Sequence, residues 1–188
     1  MSALILLGVS LPALLGIGFT SLAAEPEARN SGKTEVELFE TAYQLHMSGE
    51  LEEAIRFYGL SIEVKPTAKA HTFLGWAYSH QGNYDKAIAE CLKAIELDPD
   101  YGNPYNDIGA YYIEKGMYEE AIPFLKQAIE AKDYLHYEFP HFNLGRVYVT
   151  KGMYREAMEE FKKALEIEPN YLPAQVFLEM LSRYTAET

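Results

Sequence analysis

Five histidines, one cysteine and three pairs of adjacent glutamates are the side chains in these 188 residues whose types best suit chemistry. Acid–base work needs such groups facing one another across a pocket, and a metal needs three or four close ligands. His136 and His141 stand five apart across an expected turn into a helix, and His46, His71 and His80 are expected in different helices. No third ligand completes a set, so all five read as surface or packing histidines. Cys91 stands alone, which allows no internal disulfide and no thiolate cage. It falls where a small core residue is expected, and a buried free thiol behaves as a small hydrophobe. The pairs Glu52-Glu53, Glu119-Glu120 and Glu159-Glu160 are expected at the starts of helices, where negative charge complements the positive helix end. There is no phosphate-cradling glycine loop and no nucleophile elbow. The residues therefore point away from catalysis, with no catalytic site, no cofactor and no metal, and towards recognition.

Composition narrows what is recognised. With 48% apolar and 13% aromatic residues the chain can bury a core, which excludes disorder over most of its length. A net charge of -12 repels phosphate backbones, so nucleic acid is excluded as a partner and a protein or peptide is expected.

The first 24 residues are a separate object. Ser2 to Ala24 carry no charge, and Leu4 to Phe19 form an apolar run. Ser21-Leu22-Ala23 places small residues as a signal peptidase requires, giving a signal peptide over 1–23. The alternative is an uncleaved anchor, with membrane attachment through residues 3–24, because about 20 apolar residues cross a bilayer. Either way the remainder is expected outside the cytoplasm, periplasmic or secreted, or anchored facing outward. Residues 24–34 read as a linker.

The elements that must position any site are written as a repeat. Gly49, Gly82, Gly116 and Gly152 are spaced by 33, 34 and 36 residues, and the same spacings recur at Ala54, Ala87, Ala121 and Ala157 and at Ser61, Ala94, Ala128 and Ala164. His71, Leu74, Gly75 and Tyr78 form one helical stripe before Gly82, and Ala87, Ile88, Cys91, Ala94 and Ile95 form another after it. Gly82 suits a left-handed helix end, and Asn83 suits the cap of the next helix. Each unit is thus a helix hairpin that buries its faces only by stacking on neighbours. Asp133 replaces the proline that ends other units, and the third unit is two residues longer, so its turn is expected to differ.

The pattern resembles the tetratricopeptide repeat at Leu74, Gly75, Tyr78, Gly82, Tyr84, Ala87, Ala94 and Pro99. The units are 35–67, 68–101, 102–137 and 138–171, and 172–185 resembles a capping helix with Phe177, Leu181 and Tyr184 on its inner side. The resemblance implies an all-α fold, a right-handed α-solenoid whose first helices line a concave groove. Columns 2, 5, 9, 12 and 13 of each unit would face that groove. From them come the expected partner-binding residues: Phe39, Tyr43, Met47, Lys69, Thr72, Trp76, Asn103, Asn106, Phe142 and Arg146. The family's carboxylate clamp needs Lys and Asn at columns 5 and 9 of its first repeat, where this chain has Phe39 and Tyr43, so an apolar peptide fits better. The turn before the fourth unit resembles that of type IV pilus assembly factors, which implies a scaffold for envelope assembly. Self-assembly into a homo-oligomer and an accessory role beside an envelope enzyme are the alternatives.

Overall fold

The structure is a computed structural model in which residues 32–187 are described. The expected signal or anchor, and residues 24–31 of the linker, lie outside the described residues. Among these there are nine α-helices: α1 (Glu35–Ser48), α2 (Leu51–Val64), α3 (Ala68–His80), α4 (Tyr84–Leu97), α5 (Asn103–Glu114), α6 (Tyr118–Glu130), α7 (Glu138–Thr150), α8 (Tyr154–Ile167) and α9 (Leu172–Glu187). No described helix is long and apolar enough to cross a membrane. Successive helices pair as hairpins, each second helix packs on the first helix of the next hairpin, and α1, α3, α5 and α7 also touch in sequence. The result is an all-α helical repeat solenoid.

Two glycine columns make this geometry for different reasons. Gly49, Gly82, Gly116 and Gly152 have φ between 72° and 86°, and a Cβ on any of them would meet nothing within 4 Å. Their need is left-handed backbone at the hairpin turn. Gly75, Gly109 and Gly145 lie inside first helices, where a Cβ would come within 2.9 Å of the Ala87 carbonyl oxygen, 2.4 Å of Leu125 and 2.4 Å of Phe161. Their need is space. The alanine column Ala54, Ala87, Ala121 and Ala157 is wholly buried at the same crossing. Side chains cap three of the helices: Thr34 accepts from Glu37 N, Thr67 from Ala70 N and Asn83 from Lys86 N.

The longer third unit does turn differently. Tyr101 and Asp133 form a β-bridge, with Gly102 N donating to Asp133 O at 2.9 Å and Asp133 N to Asp100 O at 2.9 Å. Tyr134 is buried over Gly102, leaving no room there for a Cβ. The insertion thus pins one inter-unit loop to the preceding one.

Three expectations need correction. Glu159-Glu160 does not open α8; it lies in the middle of that helix, one turn from where a dipole role would place it. Glu160 instead accepts from His141 at 2.6 Å and Lys163 at 2.7 Å. His71 and His80 share α3 rather than occupying different helices, and they face opposite ways, towards Glu90 and His46. On α9 the inner side is Ala174, Phe177, Leu178 and Leu181, whereas Tyr184 is 51% exposed, its ring 5.2 Å from Tyr154.

Candidate functional site

Consecutive first helices meet edge to edge, so one column of side chains touches another across each junction. At the α1–α3 junction the contacts are aromatic. Phe39 meets Phe73 at 5.1 Å between ring centres and Tyr43 meets Phe73 at 5.8 Å, both edge to face. The Lys69 ammonium lies 4.6 Å above the Phe39 ring, a cation–π contact. These residues, with Glu40 and Gln44, line an open cleft of about 340 Å³. On the other side of Lys69 a second cleft of about 450 Å³ is bounded by Pro66, Leu97, Asp98, Tyr101 and Asp133. Lys69 makes no ion pair with any described carboxylate.

One turn further along, Trp76 is half-buried between two imidazoles, 4.3 Å from His46 and 5.1 Å from His80. His46 Nε2 and His80 Nδ1 are 2.9 Å apart and share a hydrogen bond, while His46 Nδ1 faces the Tyr58 hydroxyl at 3.4 Å. Burial, and then the charge of His80, push the His46 imidazole down to about 4, so it is neutral at physiological pH.

The α5–α7 junction is polar. Asn143 donates to Asn106 Oδ1 at 3.1 Å, both nearly buried. Arg146 donates to Asn143 Oδ1 at 3.3 Å and pairs with Glu114 at 2.9 Å. Between the two junctions stands Asp107, on α5. Burial pushes its carboxyl up to about 7, against the lowering effect of the Asn106 side chain, and Tyr101, Tyr111, Tyr134 and the Cys91 thiol are all pushed up by their own burial first and by the Asp107 charge second. Cys91 itself is wholly buried.

The ten residues expected at the site therefore divide. Phe39, Tyr43, Lys69 and Trp76 gather around the α1–α3 cleft and its neighbouring turn, and Met47 is 48% exposed on the same helix as Tyr43. Thr72 is buried and donates to its own helix at Ala68 O. Asn103 is partly exposed at the start of α5. Asn106 and Arg146 are engaged with their neighbours, and Phe142 packs between Phe161, Tyr171 and Phe177. Column 6 escaped the sequence reading. It holds Glu40, Phe73, Asp107 and Asn143, and Phe73 and Asn143 are the residues that cross the α1–α3 and α5–α7 junctions.

Comparison with known proteins agrees with this geometry. Residues 68–101, 90–122 and 139–171 each match a family model of the tetratricopeptide repeat. The TPR repeat-containing protein YpiA of Bacillus subtilis is 32% identical over 93 residues, 50% of this chain and 22% of that protein. Small glutamine-rich tetratricopeptide repeat-containing protein 2 of Mycosarcoma maydis is 31% identical over 78 residues, 41% of this chain and 22% of that protein. The chain thus covers about a fifth of these relatives. Among solved structures, PilF of Pseudomonas aeruginosa superposes with a TM-score of 0.76 at 23% identity, over 81% of this chain and 69% of that one. YrrB, described as a TPR protein with an unusual peptide-binding site, superposes with a TM-score of 0.63 at 24% identity, over 87% and 86%. PilW, described as a type IV pilus biogenesis factor, does so at 0.69 and 18%, over 74% and 64%. These likenesses establish the fold. Residues 68–122 and 139–171 thus match tetratricopeptide repeats, within an all-α solenoid of helix hairpins among the described residues.

Proposed function

We propose that the protein is a non-catalytic scaffold that holds a peptide segment of a protein partner along its first-helix face, chiefly at the α1–α3 cleft. The observation that carries this is the cleft itself. Phe39, Tyr43 and Phe73 present aromatic faces to an open space, and Lys69 stands there in a cation–π contact with Phe39 and in no ion pair among the described residues. An apolar side chain with a nearby acidic group would satisfy both. Titrating the captured partner against Tyr43→Ala and Trp76→Ala tests the site. Tenfold or greater weakening with unchanged helicity is expected, and unchanged affinity would sink it.

Two further parts of the reading rest on less. Export, by a cleaved signal or an outward-facing anchor, rests on the uncharged residues 2–24, and mass measurement of the mature N-terminus distinguishes the two. A role in envelope or pilus-type assembly rests on that segment together with the fold shared with PilF and PilW. Affinity capture from native membranes and periplasm, followed by mass spectrometry, tests it; recovery of cytoplasmic partners alone would count against it.

A further inference from the structure

The large apolar side chains that the described residues expose are not spread evenly. The inner first helices α3, α5 and α7 expose none, whereas α1 exposes Val36, Tyr43 and Met47 at 57%, 36% and 48%, and α9 exposes Leu172, Val176, Met180 and Tyr184 at 63%, 54%, 50% and 51%. Seven of the twelve so exposed among the described residues sit on these two end helices, and the other five are Val64, Leu92, Leu97 and Ile167 on second helices and Leu135 in the loop after α6.

The chain's own junctions say what covers such faces. Counting columns from residues 35, 68, 102, 138 and 172, column 5 of one first helix meets columns 2 and 6 of the next. Phe39 lies against Lys69 at 4.6 Å and Phe73 at 5.1 Å, Asn106 against Asn143 at 3.1 Å, and Phe142 against Phe177 at 5.7 Å. Column 12 meets columns 9 and 13, as His46 meets Trp76 and His80. Column 13 meets column 9, as Glu114 meets Arg146. On α9 the columns awaiting a next helix are Val176, Met180, Arg183 and Tyr184. On α1 the columns awaiting a previous helix are Val36, Glu40, Tyr43 and Met47. The two sets are complementary under the same rule: Val176 falls on Val36, Arg183 on Tyr43 and Met47, and Tyr184 on Tyr43. Val176 also falls on Glu40, and Arg183, paired with Glu179 on its own helix, falls on Tyr43 and Met47 rather than on Glu40, so the match between the two faces is one of apolar columns rather than of charge.

We propose that α9 of one copy docks on α1 of a second copy, head to tail, continuing the row of first helices across the boundary between molecules. The interface is heterologous, so each added copy presents a fresh end and growth proceeds beyond the dimer unless the rotation closes a ring. The polar columns of α1, Glu37, Thr41 and Gln44, remain in water in this arrangement, because no second helix is packed on α9 among the described residues. That accounts for their polarity where α3 has Ala70, Leu74 and Ala77. The docking face shares Glu40 and Tyr43 with the peptide cleft, whereas Val36 and Val176 line neither cleft described above, so a test placed at those two positions reads the docking separately.

Cysteine cross-linking on the full chain tests it. Val36→Cys with Val176→Cys in one chain, treated with a short bifunctional thiol reagent, should give a ladder beyond dimer. Each single variant alone should give no more product than wild type, whose buried Cys91 does not react, and an equal mixture of the two single variants should stop at dimer. Adding Met180→Glu, at a half-exposed position that leaves helicity intact, should abolish the ladder. Products no greater than wild type would overturn the proposal. So would dimers from Val176→Cys alone, which would mean α9 pairing with α9, or an equal ladder from Val36→Cys with Leu92→Cys, which would mean random collision.

Discussion

Buried His46 and partly buried Asp107, both on first helices, titrate in opposite senses. His46 ionises near 4 in the folded chain and near 6.5 unfolded, so between those values the unfolded state holds more protons. Its contribution is complete above pH 6.5 and is lost as pH falls towards 4. Asp107 ionises near 7 folded and near 3.8 unfolded, so there the folded state holds more protons. Its contribution is complete below pH 3.8 and is lost as pH rises through 7. Asp107→Asn should therefore stabilise the protein above pH 7, on the order of 1–3 kcal/mol for relieving a buried charge, and have little effect at pH 4. Denaturant melts of wild type and variant at pH 4, 6 and 8 measure this, and a difference independent of pH would refute it. The glycines offer a second residue-scale test. Gly116→Ala should cost about 1 kcal/mol through backbone strain alone, since space there is open. Gly109→Ala should cost more, by forcing Leu125 aside, and Leu125→Val should relieve part of that cost but none of the first.

At the scale of the hairpin, columns 4 and 23 change together. His71 pairs with Glu90 at 2.7 Å and His141 with Glu160 at 2.6 Å, each glutamate also held by a lysine one turn on. The same columns in the other units hold Leu38 with Phe57 and Tyr105 with Phe124. A hydrogen-bonded His–Glu pair and an apolar pair are therefore interchangeable as units, though neither half is exchangeable alone. His71→Leu or Glu90→Phe should each destabilise, leaving an unpaired polar group or an unfilled contact, while the double variant should recover most of the loss. A coupling of about 1 kcal/mol or more in a denaturation double-mutant cycle is expected, and additivity would show that the pair is not a unit. This level was largely legible from sequence, because turn glycines, alanine crossings and helix stripes repeat with a fixed spacing. Pairs such as these were less so, since Glu160 read with Glu159 as a charge run and its true partner lies 19 residues away on the other helix. The site was legible only in part for the same reason: columns show which face a residue takes, not which neighbour occupies it. Phe142 and Arg146 lie on the expected face yet are engaged there, and Asp107 stands in column 6, which the groove columns 2, 5, 9, 12 and 13 left out.

Across the whole molecule, cohesion is nearest-neighbour. Column 14 of each later unit bonds an acid at column 18 of the one before, Gln81 to Glu52, Lys115 to Asp85 and Lys151 to Glu119. The pattern stops at the ends, with Ser48 at the first column 14 and Arg155 at the last column 18. Exposed pairs of this kind contribute little each, so the apolar junctions dominate stability. In a one-dimensional array the loss of one junction should be felt in the adjacent unit and fade beyond it. The junction at α9 is the clearest place to test this, because Phe177 covers Phe142 and Phe161, with ring centres at 5.7 and 5.2 Å, and Ala174 and Leu181 complete the cluster. Ending the chain after Tyr171 should remove more helicity than α9 itself holds, because α7 and α8 lose the cover over Phe161. Hydrogen exchange should quicken across α7 and α8 while α3 and α4 keep their protection. The β-bridge between Tyr101 and Asp133 should act as the firebreak, holding α5 and α6 to the second unit through the Gly102 and Asp133 backbone bonds. Equal acceleration from α1 to α8 would instead mean that the solenoid unfolds as one cooperative body, and that its junctions are coupled beyond nearest neighbours.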